Sequence, residues 1–214
     1  MIAGATGLVG SALVADWGGP GTLHLMVRRA ARPPRPLCRV HRVDFSHLPA
    51  LPAARDAYCC LGTTIKAAGS RDAFRAVDFD AVLAFARAAR AAGVERFGVV
   101  SSLGANPRSR TFYNRVKGEM EAALRALGFS TLVIARPSLL MGDRGSLKQA
   151  PRRAEQLTLA LLRPVAGLIP AAWRPIPAAV VARALRQALA DAAPGVTTLE
   201  SDALQAMGRR SPGT

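Results

Sequence analysis

The chain of 214 residues is poor in lysine, with only Lys66, Lys117 and Lys148 among its 29 basic residues, and it holds just three cysteines, two tyrosines and two tryptophans. Each scarcity excludes something. Cys59 and Cys60 are adjacent, and neighbours in an extended strand point to opposite faces, so together with Cys38 they suit neither a disulfide framework nor a zinc site. Reduced, buried small hydrophobes are the expectation, with no metal. No apolar run approaches the roughly 18 residues that span a bilayer, and Met1-Ile2-Ala3-Gly4 lacks the basic region and apolar stretch of a secretory signal. No membrane span is expected, and the default compartment is the cytoplasm. A chain this long with half its residues apolar closes one core and is too short for two.

The charge is lopsided: 29 basic against 14 acidic residues leave +15. That balance alone suits a polyanion, and binding to DNA with steep salt dependence is one reading. Its distribution argues the other way, because the arginines are scattered through an alanine-, glycine- and proline-rich chain instead of lining one basic helix. Compositional drift toward arginine is the simpler account, and no nucleic-acid partner is expected.

What is present alternates. Short β-branched or aromatic runs bounded by turn residues fall at Thr22–Val27, Arg39–Val43, Tyr58–Leu61, Phe97–Ser101 and Thr131–Ala135, with a weaker one at Val196–Leu199. From Ser70, placed to cap, to Gly93, placed to end it, Phe74, Val77, Ala81, Phe85 and Ala88 recur at three- and four-residue steps and predict an amphipathic crossover helix. A second helix is expected over about Asn114–Leu127, ending at Gly128, and a third opening at Pro177. Proline-rich Ala30–Pro36 predicts a loop between the second and third strands. Strands alternating with helices imply an α/β fold, a single doubly wound parallel sheet with helices on both faces, over residues 1–208, and 209–214 as a flexible tail.

Three motifs carry chemistry. Gly4-Ala5-Thr6-Gly7-Leu8-Val9-Gly10 lies between a strand stub and an apolar helix start. Glycines there permit a tight turn and close backbone approach, so that free N–H groups and the positive helix end face a pyrophosphate. The second is Arg28-Arg29 after the next strand, where an acid would select the ribose 2′-hydroxyl and arginine accommodates a 2′-phosphate. NADP(H) is therefore expected over NAD(H), with Asp44 after the third strand placed to accept from the adenine amino group. The third is Tyr113-Asn114-Arg115-Val116-Lys117: four residues apart on a helix, a phenol and an ammonium share a face, and a nearby positive charge favours the phenolate needed for proton transfer. With so few tyrosines and lysines this spacing arises by chance only about 3 times in 100. Upstream, Ser101 and Ser102 close a buried strand at its carboxyl end, where a serine can hydrogen-bond a substrate carbonyl.

Taken in order, Cys60-Leu61-Gly62-Thr63-Thr64, Ala68-Gly69-Ser70, Val77-Asp78, Ser101-Ser102-Leu103-Gly104-Ala105, Tyr113 to Glu119 and Arg136-Pro137-Ser138-Leu139-Leu140 resemble the atypical or extended branch of the short-chain dehydrogenase/reductases, and within it the Tat-interacting-protein-like oxidoreductases. The resemblance covers nearly the whole chain. It implies a Rossmann-type sheet binding NADP(H), with Gly4, Thr6, Gly7, Leu8 and Val9 along the pyrophosphate, Arg28 and Arg29 at the 2′-phosphate, Leu61, Gly62 and Thr63 beside the adenosine half, and Pro137 and Ser138 near the nicotinamide. It also implies a catalytic trio: Tyr113 exchanging a proton with the substrate oxygen, Lys117 tuning it and holding the nicotinamide ribose, and Ser102 orienting the carbonyl.

The reading is an NADP(H)-dependent oxidoreductase acting on a small, apolar carbonyl or alcohol; the alternative is an NADPH-bound regulatory module that docks partners without turnover. The chain begins only three residues before Gly4, where a full strand takes about five or six, so either the reading frame is expected to start upstream or the chain has been trimmed. The proline-broken segment after Met141 implies a substrate pocket that is either small or completed by a second subunit in a homodimer. Within that segment Gly145–Gln156 reads equally as a loop over the site or as an uninvolved surface loop.

Overall fold

A computed structural model of the chain describes residues 1–19, 21–29, 33–142 and 170–209, and within them the alternation of the sequence becomes an all-parallel sheet of seven strands. These are β1 (Ile2–Ala3), β2 (Leu23–Val27), β3 (Cys38–Arg42), β4 (Asp56–Cys59), β5 (Arg96–Val100), β6 (Thr131–Arg136) and β9 (Gly195–Glu200). Two short strands, β7 (Leu140–Met141) and β8 (Ile176–Pro177), pair with each other alone. The order across the sheet is β3-β2-β1-β4-β5-β6-β9. After β1 the chain builds outward through β2 and β3, then returns to lay β4 on the other flank of β1. Carboxyl-end loops diverge at that reversal, and the crevice they leave is where open α/β sheets take ligands.

The sheet is wound on both sides because alternate strand residues face opposite ways. Leu25, Tyr58, Val100 and Val133 point to one face, where Val9 and Leu13 of α1 (Leu8–Ala15) and Val181 and Leu185 of α6 (Ala178–Asp191) cover them. Their neighbours Met26, Cys59, Val99 and Ile134 point to the other, under Val82 and Phe85 of α4 (Ala81–Ala91) and Met120 and Leu124 of α5 (Phe112–Arg125). Each such aliphatic side chain contributes about 1.5–3 kcal/mol by leaving water. Glycine is a weak strand former, yet Gly98 occupies the middle of β5. A Cβ there would stand 3.1 Å from Leu185 and 3.3 Å from Tyr58, so the bare backbone makes room for two larger side chains.

The crossover helix departs from its expected register. Ser70 caps α3 (Arg71–Arg75) by accepting from the Ala73 N–H, as its position implies, but residues Ala76–Asp80 form a π turn before α4 begins. The inward stripe runs one residue off the expected one at most positions. The buried positions are Phe74, Asp78, Val82, Leu83, Phe85, Ala86 and Ala89, whereas Val77, Ala81 and Ala88 of the expected stripe are only half-buried. A carboxylate is thereby turned into the interior. Elsewhere α5 starts two residues earlier than expected, α6 follows Pro177, and a helix the sequence reading lacks, α7 (Ser201–Arg209), packs on α6. Gly208 makes that contact possible, since a Cβ on it would lie 2.1 Å from the Val180 carbonyl oxygen. Arg209, assigned to the tail, ends this helix; residues 210–214 and 145–156 lie outside the described residues.

Candidate functional site

The glycine run forms the turn from β1 to α1. Gly4 has φ +77°, a left-handed conformation, and a Cβ on it would fall 2.5 Å from the Cys60 carbonyl oxygen. Gly10 lies against the same turn, its Cβ position 2.2 Å from the Gly4 carbonyl oxygen. Gly7 is different. Its φ of −84° is open to any residue and the nearest contact of a Cβ would be 3.3 Å, so the fold alone does not require glycine there. Gly7 precedes the first turn of α1 without a side-chain cap and with no acid in that turn, which leaves backbone N–H groups and the positive helix end turned toward the crevice. Thr6 is exposed, Leu8 half-buried and Val9 buried at this end.

Arg28 and Arg29 follow β2 and are exposed. Asp44 is also exposed beyond β3, but its Oδ1 already accepts from the Ser46 N–H at 2.9 Å and the Ser46 hydroxyl at 2.7 Å. Those two bonds hold its carboxyl below the usual range. A cavity of about 540 Å³ runs along α1, lined by Ala5, Ser11, Asp16, Trp17 and Arg35, and none of Ser102, Tyr113 or Lys117 borders it. The chemistry of those three lies instead around the first turns of α5.

Tyr113 and Lys117 sit one turn apart on α5, as their spacing requires. The phenol ring is half-buried with its centroid 5.2 Å from that of Phe74. The lysine side chain is 4% exposed, and its Nζ stands 2.7 Å from Oδ1 of Asp78, which is wholly buried. At that distance the two opposite charges form a buried ion pair. Burial pulls the ammonium down, yet Asp78, Tyr113 and Cys59 together hold it above the ordinary lysine range. Oδ2 of Asp78 accepts from the Thr63 N–H at 2.8 Å, and a Cβ on Gly62 would be 3.8 Å from Nζ. Gly62 therefore lies against the lysine, and Thr63 against its acidic partner. Ser102 is half-buried on the loop after β5, its hydroxyl donating weakly to the Leu103 carbonyl at 3.4 Å. That loop is tied to α5 by the Asn106 N–H donating to the Asn114 carbonyl at 3.0 Å, and Gly118 lets the helix press so close that a Cβ would meet Asn106 at 2.2 Å. Pro137 joins the same end, its carbonyl accepting from the Leu103 N–H at 2.9 Å.

The two strand-end serines part ways. Ser101 is buried and donates to Glu121 at 2.5 Å, whereas Ser102 stays half-buried on the loop. Glu121 continues the face of Tyr113 and Lys117 by one more turn and also receives Nε and Nη2 of Arg136 at 3.0 and 2.6 Å, while Arg136 reaches Glu200 at 2.8 Å. The sequence reading assigned no role to Asp78, Glu121 or Arg136. The readable signal was an acid on an otherwise apolar helical stripe, at i+4 from Phe74 and i+4 from Lys117 respectively. Of the cysteines, Cys38 and Cys59 are buried and free as expected, whereas Cys60 is half-buried.

No family model matches the chain. It is 37% identical over 179 residues to protein HTATIP2 of Rattus norvegicus, covering 80% of this chain and 70% of that protein. It is 35% identical over 152 residues to the mitochondrial protein FMP52 of Debaryomyces hansenii, covering 67% of each. Among solved structures it is similar to MoeE5 in complex with UDP-glucuronic acid and NAD, with a TM-score of 0.71, 20% identity, and 92% of this chain and 74% of that one covered. A short-chain dehydrogenase/reductase superfamily protein of Agrobacterium tumefaciens with bound NAD gives a TM-score of 0.66 at 20% identity, over 93% and 76%. These two likenesses establish the fold. They do not bear on the compartment, but the curated fungal relatives do: several are named mitochondrial, which overturns the cytoplasmic expectation. That expectation rested on a missing secretory leader, and such an absence carries no address.

Proposed function

Because the chain belongs to the atypical short-chain dehydrogenase/reductases related to HTATIP2 and FMP52, we propose that it binds NADP(H) in preference to NAD(H) and transfers a hydride to or from a small carbonyl or alcohol. The observation that carries this reading is the pair Tyr113 and Lys117 on one face of α5, with the lysine buried beneath Gly62 at the carboxyl end of the sheet. The residues present fit a dinucleotide. Gly4 and Gly10 shape a turn no side chain could enter, Gly7 is free of that constraint, and the uncapped start of α1 faces outward from it. Gly4, Thr6, Gly7, Leu8 and Val9 would hold the pyrophosphate, Leu61, Gly62 and Thr63 the adenosine side, Asp44 the adenine, and Pro137 the nicotinamide end. Arg28 and Arg29 support NADP(H), since a guanidinium makes strong charge-assisted hydrogen bonds to a phosphate.

When bound, the cofactor supplies or receives the hydride. The chain supplies the proton and the geometry. Tyr113 gives its hydroxyl proton to a substrate oxygen in reduction and recovers it in oxidation. Lys117, kept positive, stabilises the phenolate left behind and can turn a donor to the ribose. Ser102 donates to the carbonyl oxygen and fixes its orientation.

The test follows NADPH absorbance against a panel of aldehydes and ketones. Tyr113→Phe should leave NADPH affinity nearly unchanged and lower turnover by roughly a hundredfold or more, the range for losing a positioned acid/base. Lys117→Ala should weaken turnover and NADPH binding together. A parent protein that binds NADPH tightly, turns over nothing and is indifferent to Tyr113→Phe would overturn the reading in favour of a regulatory module.

A further inference from the structure

From Ser101 to Gly118 the chain has no acidic residue, and it carries Arg108, Arg110 and Arg115 besides Lys117. Ser102 and Tyr113 bracket the loop that presents the first two. That loop is held by its own hydrogen bonds: Oδ1 of Asn106 accepts the Arg108 N–H at 2.8 Å, the Asn106 carbonyl accepts the Ser109 N–H at 2.9 Å, and the Ser109 hydroxyl accepts the Thr111 N–H at 3.2 Å. The Ser109 carbonyl accepts from a guanidinium nitrogen of Arg115 at 3.2 Å. Arg115 also stands 5.7 Å from the centroid of the Phe112 ring, and Arg71 of α3 reaches the same ring at 5.3 Å. The ring attracts both cations and neutralises neither. Among the described residues no carboxylate pairs with Arg71, Arg110 or Arg115, whereas Arg75, one turn beyond Arg71, takes Glu119 at 2.5 Å. Phe74 joins this patch to the reacting group, its centroid 6.0 Å from that of Phe112 and 5.2 Å from that of Tyr113. The proposed cofactor contacts do not use the charge, because the glycine turn follows β1 and Arg28 and Arg29 follow β2, whereas these arginines belong to α3 and the segment after β5.

We infer that Arg71 and Arg115 over Phe112, with Arg110 on the adjoining loop, form an anion subsite of the proposed active site, and that the carbonyl or alcohol substrate carries a carboxylate or a phosphate. The inference rests on the oxidoreductase reading for the substrate's role, though not for the capture of an anion. It departs from the apolar substrate expected from the sequence alone. A guanidinium offers an oxyanion two parallel N–H donors, and it can do so while resting on an aromatic face. Held there, the far end of the substrate is anchored while Ser102 and Tyr113 take its oxygen. A rim of one sign also draws anions from solution. The anionic group takes no part in the hydride or proton transfer; it selects and orients. The positive charge does not continue along α5, where Glu119 and Glu121 follow, so the patch suits a single oxyanion and not a polyanion.

The test uses NADPH-loaded protein and aliphatic aldehydes of graded chain length, each made with a carboxylate, a phosphate or a methyl ester at its far end. At one or more lengths a charged aldehyde should exceed its ester about tenfold or more in kcat/KM, the worth of one charge-assisted hydrogen bond, and added salt should erode the advantage. The carboxylate and phosphate arms tell the two headgroups apart. Arg71→Gln and Arg110→Gln, at exposed positions, should each lower the charged-to-ester ratio by roughly fivefold or more. Arg87→Gln removes an equal charge from exposed Arg87 on α4 and should leave that ratio alone. Independently of turnover, benzoate or phenyl phosphate should saturably shift the guanidinium NMR signals of Arg71 and Arg115 at concentrations that leave Arg87 unmoved, and benzamide should not. Equal kcat/KM for charged and ester aldehydes at every length overturns the inference, as does a charge preference that Arg87→Gln lowers as much as Arg71→Gln. Signals moved by duplex DNA or an acidic peptide but by neither small anion give the patch to a macromolecule and overturn it as well. A parent that reduces none of the aldehydes refutes the oxidoreductase reading, and the NMR titration then still decides whether Arg71 and Arg115 hold an anion.

Discussion

The three glycines of the β1–α1 turn should respond differently to alanine, and the difference separates folding from binding. Gly10→Ala places a methyl 2.2 Å from the Gly4 carbonyl oxygen and 2.9 Å from the Ala5 Cα. Ordinary contact needs about 3.5 Å, so α1 must withdraw by more than about 1 Å from a strand that lies at the centre of the sheet. Overpacking of this kind costs about 1–3 kcal/mol. Gly4→Ala adds to a similar clash, 2.5 Å from the Cys60 carbonyl oxygen, the strain of a side chain at φ +77°, roughly a further 1–2 kcal/mol. For a domain of this size about 2–5 kcal/mol lowers Tm by roughly 4–20 °C. Gly7→Ala meets only a 3.3 Å contact at an unstrained φ of −84°, and its cost should stay under about 0.5 kcal/mol, within the range of a harmless substitution. If Gly7 is glycine so that backbone can approach a pyrophosphate, its alanine variant should melt with the parent yet lose at least tenfold in NADPH affinity by fluorescence titration. Gly10→Ala and Gly4→Ala should lose both. A Gly7→Ala protein that binds NADPH like the parent would refute the phosphate-approach argument, and one that melts like Gly10→Ala would refute the packing argument.

Cofactor choice follows from the end of β2: replacing Arg28 and Arg29 with Ala should weaken NADPH by roughly tenfold to a hundredfold, leave NADH nearly untouched, and so erase most of the preference. Equal affinity for the two cofactors in the parent protein would remove the basis for that expectation. Glu121→Ala should destabilise by about 2–4 kcal/mol, because it strands the Ser101 hydroxyl and one face of Arg136, whose side chain is only 22% exposed; a fall in Tm below about 2 °C would show that Glu200 alone satisfies the guanidinium. His24 lies 2.9 Å from the ring of His41 and is held below the ordinary histidine range by burial first, then by His41, the Met1 ammonium and Arg39. The unfolded chain therefore takes up this proton first as pH falls, so stability is lost from about pH 6.5 downward until the native value is reached. His24→Gln should flatten that loss in urea melts, and an unaltered slope would mean the pair is not its source.

Much of the sheet was legible because strands in a doubly wound fold are apolar on both faces and end at turn residues, which is why six of the runs coincide with strands to within a residue or two at most ends. Tyr113 and Lys117 were legible for a different reason: a four-residue step on a helix fixes a shared face whatever the tertiary context. Asp78 was passed over, since the expected stripe ran through Val77, one residue away, although the step of four from Phe74 to Asp78 and on to Val82 is equally helical. Ser101 and Ser102 looked equivalent in sequence, and the partner that distinguishes them, Glu121, is 20 residues away from Ser101.

Local chemistry thus determined from the sequence alone that this chain makes a parallel α/β sheet with a glycine turn after its first strand, a tyrosine and a lysine on one helical face, and a pair of arginines after its second strand. Periodicity and conformational preference are properties of neighbouring residues, and they survive any change of surroundings. Which buried charges meet was decided only when strands far apart in sequence came to lie side by side. Lys117 found Asp78, which also took the Thr63 N–H, and Arg136 found Glu121 and Glu200, because the parallel strands β4, β5, β6 and β9 bring their carboxyl ends to one end of the sheet. An ion pair removed from water depends on distances of under 3 Å between groups tens of residues apart, and only the closed fold sets those distances.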